Sequence, residues 1–188
     1  MKVKDLCMMT VCLCLLIICS KISFQIGIIA FTLQTFAVAI IPYILKWKKS
    51  AIVFITYIIM GLIGIPVFSE GGGFLCVLKP SFGYILGFLV STFITGSNIF
   101  KNSKIANLFK GLLGLIVLDI IGMAYMYILF KYHYNAYDKA TLSFILKVGF
   151  LPFILKDSFS VALAYCISLR LNVVLDNMGT FNQELVNQ

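Results

Sequence analysis

Two carboxylates stand inside apolar runs of this chain: Asp119 within Leu108–Phe130, and Asp157 near the start of Pro152–Leu171. A charged side chain at membrane depth is costly, so such groups face a bundle interior or a cavity and find a partner there. Asp157 is flanked by Lys156 and Ser158, which together make a small polar patch at one end of its run. Thr32, Gln34 and Thr35 open another apolar run, and a glutamine amide both donates and accepts hydrogen bonds. The segment Ser69–Phe82 carries Glu70-Gly71-Gly72-Gly73 and Lys79-Pro80-Ser81, which cannot form continuous helix. Each feature has two readings: Asp119 and Gln34 as helix-packing hydrogen bonds or as site groups, and the glycine-rich segment as a flexible loop or as part of a pocket. Two carboxylates can do acid–base work, but Asp119 is expected in mid-span, far from the end that holds Asp157.

The other common sources of chemistry are missing from the pattern. There is no nucleophile–base pair, and the single His133 has no acidic neighbour in a recognisable motif. The six cysteines show no metal-ligand spacing with it, so no metal site and no cofactor is expected. Gly71–Gly73 lacks the Gly-Lys-Ser/Thr that would complete a phosphate loop. No nucleotide site is visible in these residues, so any energy source must come from another protein or a gradient.

The elements that position these groups must lie in a membrane. The 188 residues are 61% hydrophobic and 12% charged, with mean hydropathy +1.04, whereas soluble domains carry about 45–50% apolar and 25% charged residues. The net charge of +8 sits in short clusters between apolar runs, a pattern that orients membrane proteins and does not suit nucleic acid. One membrane domain is expected over 1–188, with spans near 6–20, 28–45, 51–67, 83–99, 108–130 and 152–171 and a short, frayed polar tail over 172–188. The basic start of the chain suits a signal peptide, but no small-residue cleavage site precedes a soluble body, so an uncleaved first span is the better reading.

Placing the N-terminus in the cytoplasm puts Lys2, Lys4, Lys46, Lys48, Lys49, Lys101, Lys104, Lys110 and Arg170 inside. Lys21, Lys79, Lys131, Lys139, Lys147 and Lys156 then lie outside, nine basic residues against six. The positive-inside rule thus predicts both termini in the cytoplasm of a multi-pass cell-membrane protein. Tyr132, Tyr134 and Tyr137 suit interfacial anchoring on the outer side. The same topology brings Gln34, the Gly71–Ser81 loop and Asp157 to one outer face, where polar groups over an apolar bundle make a small-molecule pocket.

Four elements, in order, resemble the BioY family. Phe31-Thr32-Leu33-Gln34-Thr35 is similar to its I-T-L-Q-T element, and Gly61–Phe68 to its G-L-x-G-x-P-V-F, followed by the same glycine cluster. Lys79–Phe88 resembles G-P-T-x-G-Y-x-x-G-F, and Leu151-Pro152-Phe153 with Asp157 resembles the late P-F-x-x-x-D. The resemblance implies an all-α bundle of six transmembrane helices, the S component of an energy-coupling-factor (ECF) transporter. It implies biotin as transported ligand, held near the outer side under the first and third loops. It also implies partners: the surrounding membrane lipid, a transmembrane scaffold T component and two ABC-type ATPases.

On that reading Asp157 accepts from the ureido N–H groups, and Gln34, Ser81 or loop amides complete the polar contacts. Tyr84 and Phe82 either cover the apolar rings or pack the bundle. The chain departs from the pattern in two places. The family's Lys three residues after the late Asp is Ser160 here, and its Gly before Pro is Lys79. Lys79 or Lys156 would then supply the missing cation; otherwise the fold takes a biotin precursor or a different vitamin. For docking on the scaffold, Thr10 and Cys14 keep the family's small-residue spacing in the first helix weakly, with Cys7 less regular.

Overall fold

The computed structural model describes residues 3–26, 29–97, 104–136 and 138–186. Lys2, Lys101 and Tyr137, the expected span ends at Ile28 and Ile99, and the last two residues of the tail lie outside the described residues. The chain is helical apart from one hairpin and its loops. Helix α1 (Val3–Lys21) leads into strands β1 (Ser23–Ile26) and β2 (Ile29–Thr32), an antiparallel hairpin in which Ser23 pairs with Thr32. Then come α2 (Gln34–Leu62), α3 (Phe82–Thr95), α4 (Lys104–Ile128), the short α5 (Leu142–Gly149) and α6 (Ile154–Val186).

The observed helices follow the expected spans, with differences at their ends. Residues 28–45 and 51–67 fall largely in α2, two helical arms that meet at Lys46 without a longer loop; the backbone there (φ 59°, ψ 170°) is non-helical. That conformation suits glycine and costs a lysine on the order of 1–3 kcal/mol, so surrounding packing must hold it. At the other end α2 stops at Leu62, because Gly64 turns to φ 106° and Pro66 follows. The N-terminal part of 28–45 is hairpin, since the β-branched and aromatic residues around Ile29–Thr32 pair with Ser23–Ile26. The tail does not fray after Leu171; α6 runs on to Val186 with no proline to end it.

Among the described residues three helices are long and apolar enough to cross a membrane: Val3–Lys21, Ile105–His133 and Ile154–Leu175. Phe82–Thr95 is a shorter apolar helix. Large apolar side chains such as Leu155, Phe159, Ile116 and Ile120 remain exposed on the outer surface, as a lipid-facing surface requires. Between helices in lipid, close packing replaces the hydrophobic drive. Accordingly α4 lies along α3, with Gly87 against the Leu118 backbone and Gly114 against Thr95 and Ser91. Helix α2 packs on α1, α3 and α6 around a core that includes Leu16, Ile41, Phe54 and Tyr57.

The segment Ser69–Phe82 is tied down by its own bonds. Gly73 N–H donates to Gly61 O at 2.7 Å, and Phe68 pairs with Gly71. Lys79 Nζ lies 3.1 Å from Glu70 Oε2, and Ser81 Oγ donates to Glu70 Oε1 at 3.1 Å. From α4, the Tyr125 hydroxyl donates to Val77 O. Beyond α4, Tyr134 Oη donates to Leu78 O at 2.9 Å.

Candidate functional site

A cavity opens where the hairpin, the 69–81 loop and the ends of α2, α3 and α6 meet. It holds about 560 Å³ of empty space, counting the part open at its mouth, and it joins an apolar wall to a few convergent polar groups, as small-molecule sites do. Its apolar wall is Ile29, Ala30, Ile85, Phe88, Leu118 and Phe153, and its polar groups are Thr32, Gln34, Thr35, Ser69, Ser81, Tyr84, Asp119, Lys156 and Asp157.

Asp157 sits in the first turn of α6, where the helix's free N–H groups favour a carboxylate. It is 5% exposed. Its Oδ1 lies 2.5 Å from Lys156 Nζ and makes no aligned hydrogen bond; the Thr35 hydroxyl faces the same carboxylate. Lys156 is held from three directions. Its Nζ donates to Thr32 O at 2.7 Å, pairs with Asp157, and lies 4.6 Å from the centre of the Phe31 ring and 5.9 Å from that of Phe153. The two rings stack with centroids 5.7 Å apart. An ammonium between aromatic faces and beside a carboxylate is well stabilised when partly desolvated, and the Lys156 side chain is only 17% exposed.

Gln34 is clipped into its own network. Thr32 Oγ1 donates to its Oε1 at 3.2 Å, and its Nε2 donates to Tyr57 Oη at 2.8 Å. Tyr57 passes the chain on to Val67 O at 3.1 Å. Two partners leave one amide N–H of Gln34 for the cavity. Tyr84 donates to Gly149 O at 2.9 Å. Its ring occupies space that side chains at Gly122 and Gly149 would fill, so two glycines admit it.

Five of the seven residues expected at the site therefore line one cavity: Gln34, Ser81, Tyr84, Lys156 and Asp157. Two do not. Lys79 is engaged by Glu70 at the loop, with its Nζ also donating to Glu70 O at 3.2 Å. Ser160 is buried one turn along α6 and donates to Lys156 O at 2.8 Å.

The placement of Asp119 needs correcting. It is not far from the site; it lines the same cavity, 3% exposed, facing Asp157 and Lys156. Counting residues from a span end assumes that all spans end at one level. Here α4 continues in wider turns over Leu129–His133, whereas α6 starts late, after α5 and a turn. The middle of α4 is thereby brought level with the first turn of α6. The intramembrane charge was a usable signal for Asp119; its depth relative to α6 was not. The aromatic pair Phe31–Phe153 around the ammonium had no signal beyond motif membership.

Two carboxylates and one ammonium, set in an apolar wall, can bind a neutral ligand group rich in N–H donors. They cannot readily accept a second anion, because with both carboxylates ionised the charge there is already negative. Among the described residues no group of three or more His, Cys, Asp or Glu is placed to hold a metal ion.

The chain was compared with known proteins. It is 31% identical to the biotin transporter BioY of Thermotoga maritima over 159 residues, covering 84% of this chain and 89% of that protein. It is 34% identical to a probable biotin transporter BioY of Pyrococcus horikoshii over 172 residues, covering 91% and 98%. In three dimensions it matches the crystal structure of the S component for biotin from an ECF-type ABC transporter. That match has TM-score 0.78 and 25% identity, over 90% of this chain and 91% of that one. The six-helix S-component architecture implied by the motifs is therefore the fold of this chain. The BioY family model covers residues 1–177, and the chain belongs to the BioY family.

Proposed function

We propose that this chain is the substrate-binding subunit of a biotin uptake transporter. The observation that carries the reading is the Asp119–Lys156–Asp157 cluster in a cavity with an apolar wall, in a chain of this family. Biotin offers matching chemistry: a cyclic urea with two N–H donors and one carbonyl, apolar rings and chain, and a terminal carboxylate. The urea enters first. Its N–H groups donate to Asp157, with Asp119 as a second acceptor, and its carbonyl accepts from Lys156. The carboxylate tail, repelled by two acids, points away from them, toward the half-buried Ser69 and Ser81. Tyr84 and Phe153 cover the rings. Isothermal titration of the purified protein tests this: saturable binding of biotin supports it, and no binding overturns it.

The second reading keeps the fold and changes the ligand to a biotin precursor or a different vitamin. Ser160, in place of the family's lysine, motivates it. Titration with desthiobiotin, which keeps the cyclic urea and lacks the sulfur, distinguishes the two by which ligand binds more tightly.

On our reading Lys156 has taken over the role of the missing lysine. A lysine added at position 160 then meets a cation already beside Asp157, and like charges repel. Ser160→Lys is expected to leave biotin binding unchanged or weaker. Ser160→Lys combined with Lys156→Ala is expected to bind more tightly than Lys156→Ala alone. Tighter binding by the single Ser160→Lys variant would show that the position beside Asp157 is vacant for a cation.

The subunit has no ATPase of its own in this proposal and works with a membrane scaffold and two ABC-type ATPases. Six membrane segments and cytoplasmic termini complete it, the two arms of α2 counting as two segments. The lysine distribution motivates the orientation. A cysteine placed at Lys48 is expected to resist an impermeant reagent added outside intact cells, and one at Lys139 to react. The reverse pattern would invert the topology and put the cavity on the wrong side for uptake.

A further inference from the structure

Two cavities meet at the break in α2, at the other end of the bundle. Along α6, Lys156 and Asn172 are 16 residues apart, roughly 24 Å of helix, so this junction lies about a bilayer core away from the biotin site. One cavity, about 1250 Å³ including its open mouth, is lined by Lys4, Lys46, Lys48, Lys49 and Trp47. The other, about 700 Å³ on the same measure, is lined by Lys46, Lys110, Tyr43, Ser97, Asn107 and Asn172. Lys46 and Gly96 belong to both.

Three features at this junction point to an anion. Lys110 is 3% exposed, yet its Nζ donates to one carbonyl, Ser97 O at 3.0 Å, and among the described residues no carboxylate forms an ion pair with it. A buried charge without a counter-charge is unfavourable, and an incoming anion relieves it. Next, five lysines meet a single acid in these linings, Asp5, which is paired with Lys49 at 2.7 Å. Last, Lys46 is held at φ 59°, in a conformation that favours glycine. Strain of this kind is kept where the side chain it presents has a use.

The surroundings choose among anions. Trp47 packs against Phe93 with centroids 5.5 Å apart and ring planes tilted by 45°, and Lys48 Nζ lies 5.5 Å from the Trp47 ring centre. Trp with flanking lysines marks the membrane–water boundary, and Phe93 and Ile52 continue the exposed apolar surface beside it. Basic pockets between helices at this level take lipid headgroups. We propose that the junction at the α2 break binds the phosphate of an anionic phospholipid, with Lys46 and Lys110 on the phosphate and the acyl chains beside Phe93.

The test uses the full chain in phosphatidylcholine nanodiscs, with or without phosphatidylglycerol, and follows thermal midpoint and bound phosphatidylglycerol by native mass spectrometry. Lys46→Gly and Lys110→Met are compared with Lys139→Gln, which lies outside both cavities. Phosphatidylglycerol is expected to raise the midpoint of the unmodified chain and of Lys139→Gln, since a ligand bound only by the folded state stabilises it. Retained phosphatidylglycerol should fall about threefold or more in Lys46→Gly and Lys110→Met. In phosphatidylcholine alone, Lys46→Gly should be at least as stable as the unmodified chain, because glycine accepts the conformation without strain. Should Lys110→Met fail to fold, Lys46→Gly decides alone. Equal phosphatidylglycerol retention by Lys46→Gly and the unmodified chain would overturn the proposal. So would the same midpoint rise on adding inorganic phosphate without anionic lipid, which would assign the site to a soluble anion. Biotin titration of the same variants is expected to be unchanged, so a failure here is separable from a failure of the biotin reading.

Discussion

Asp157→Asn is expected to bind biotin about ten- to a hundredfold more weakly than the unmodified chain, the equivalent of losing about 1.5–3 kcal/mol from a charge-assisted hydrogen bond. The substitution keeps the shape of the side chain and replaces one acceptor oxygen with an NH2 donor. That donor then opposes a ureido N–H, and Lys156 loses the partner 2.5 Å from its Nζ. Isothermal titration measures the affinity, and the thermal midpoint without ligand reports whether the fold persists. Wild-type affinity in a folded Asp157→Asn protein would make Asp157 structural and move the ureido contact to Asp119.

The second large effect is expected at Lys156. Lys156→Met removes the one cation among the described lining residues and leaves Asp119 and Asp157 facing each other without it. Breaking a buried ion pair from one side costs about 3–5 kcal/mol, and both partners here are largely buried, 17% and 7% exposed at the side chain. The variant should melt at lower temperature and lose biotin binding. Asp119→Asn added to Lys156→Met should recover much of the midpoint, because one of the two opposed charges is gone. It should not recover binding, since the donor to the ureido carbonyl is still missing. If the double variant melts no higher than Lys156→Met, the two acids do not interact through this lysine. In that case the stability loss comes from the lost Phe31 and Phe153 contacts.

Much of the candidate site's lining was legible in the sequence. Gln34, Ser81 and Asp157 come from three stretches that a charge-based topology alone brings to one face, and the structure puts all three around one cavity. Lysines were harder. Lys79 and Lys156 are both flexible cations near the expected mouth, and nothing in their neighbours along the chain ranks one above the other. Glu70, nine residues before Lys79 in sequence, draws Lys79 to the loop, while the Thr32 carbonyl and two aromatic rings hold Lys156 inside.

The sequence by itself determined the membrane character, the predominance of helix, and the family. Each rests on local or cumulative properties: hydropathy summed over a run, charges at run ends, and motif order. It also marked Asp119 and Asp157 as groups that require partners, because carboxylates in apolar runs are unfavourable wherever the run packs. Only the tertiary structure decided that the two acids line one cavity with one ammonium, which pairs with Asp157. That outcome depends on where α4 and α6 end relative to each other, which residue counts along separate helices do not record. The break in α2 divides the same way. The basic run Lys46–Lys49 separates the expected spans 28–45 and 51–67, but no proline or glycine marks that the two arms meet at a single residue of positive φ. The strained backbone is held by the packing of its neighbours, with Gly96 tight against the Lys46–Trp47 backbone.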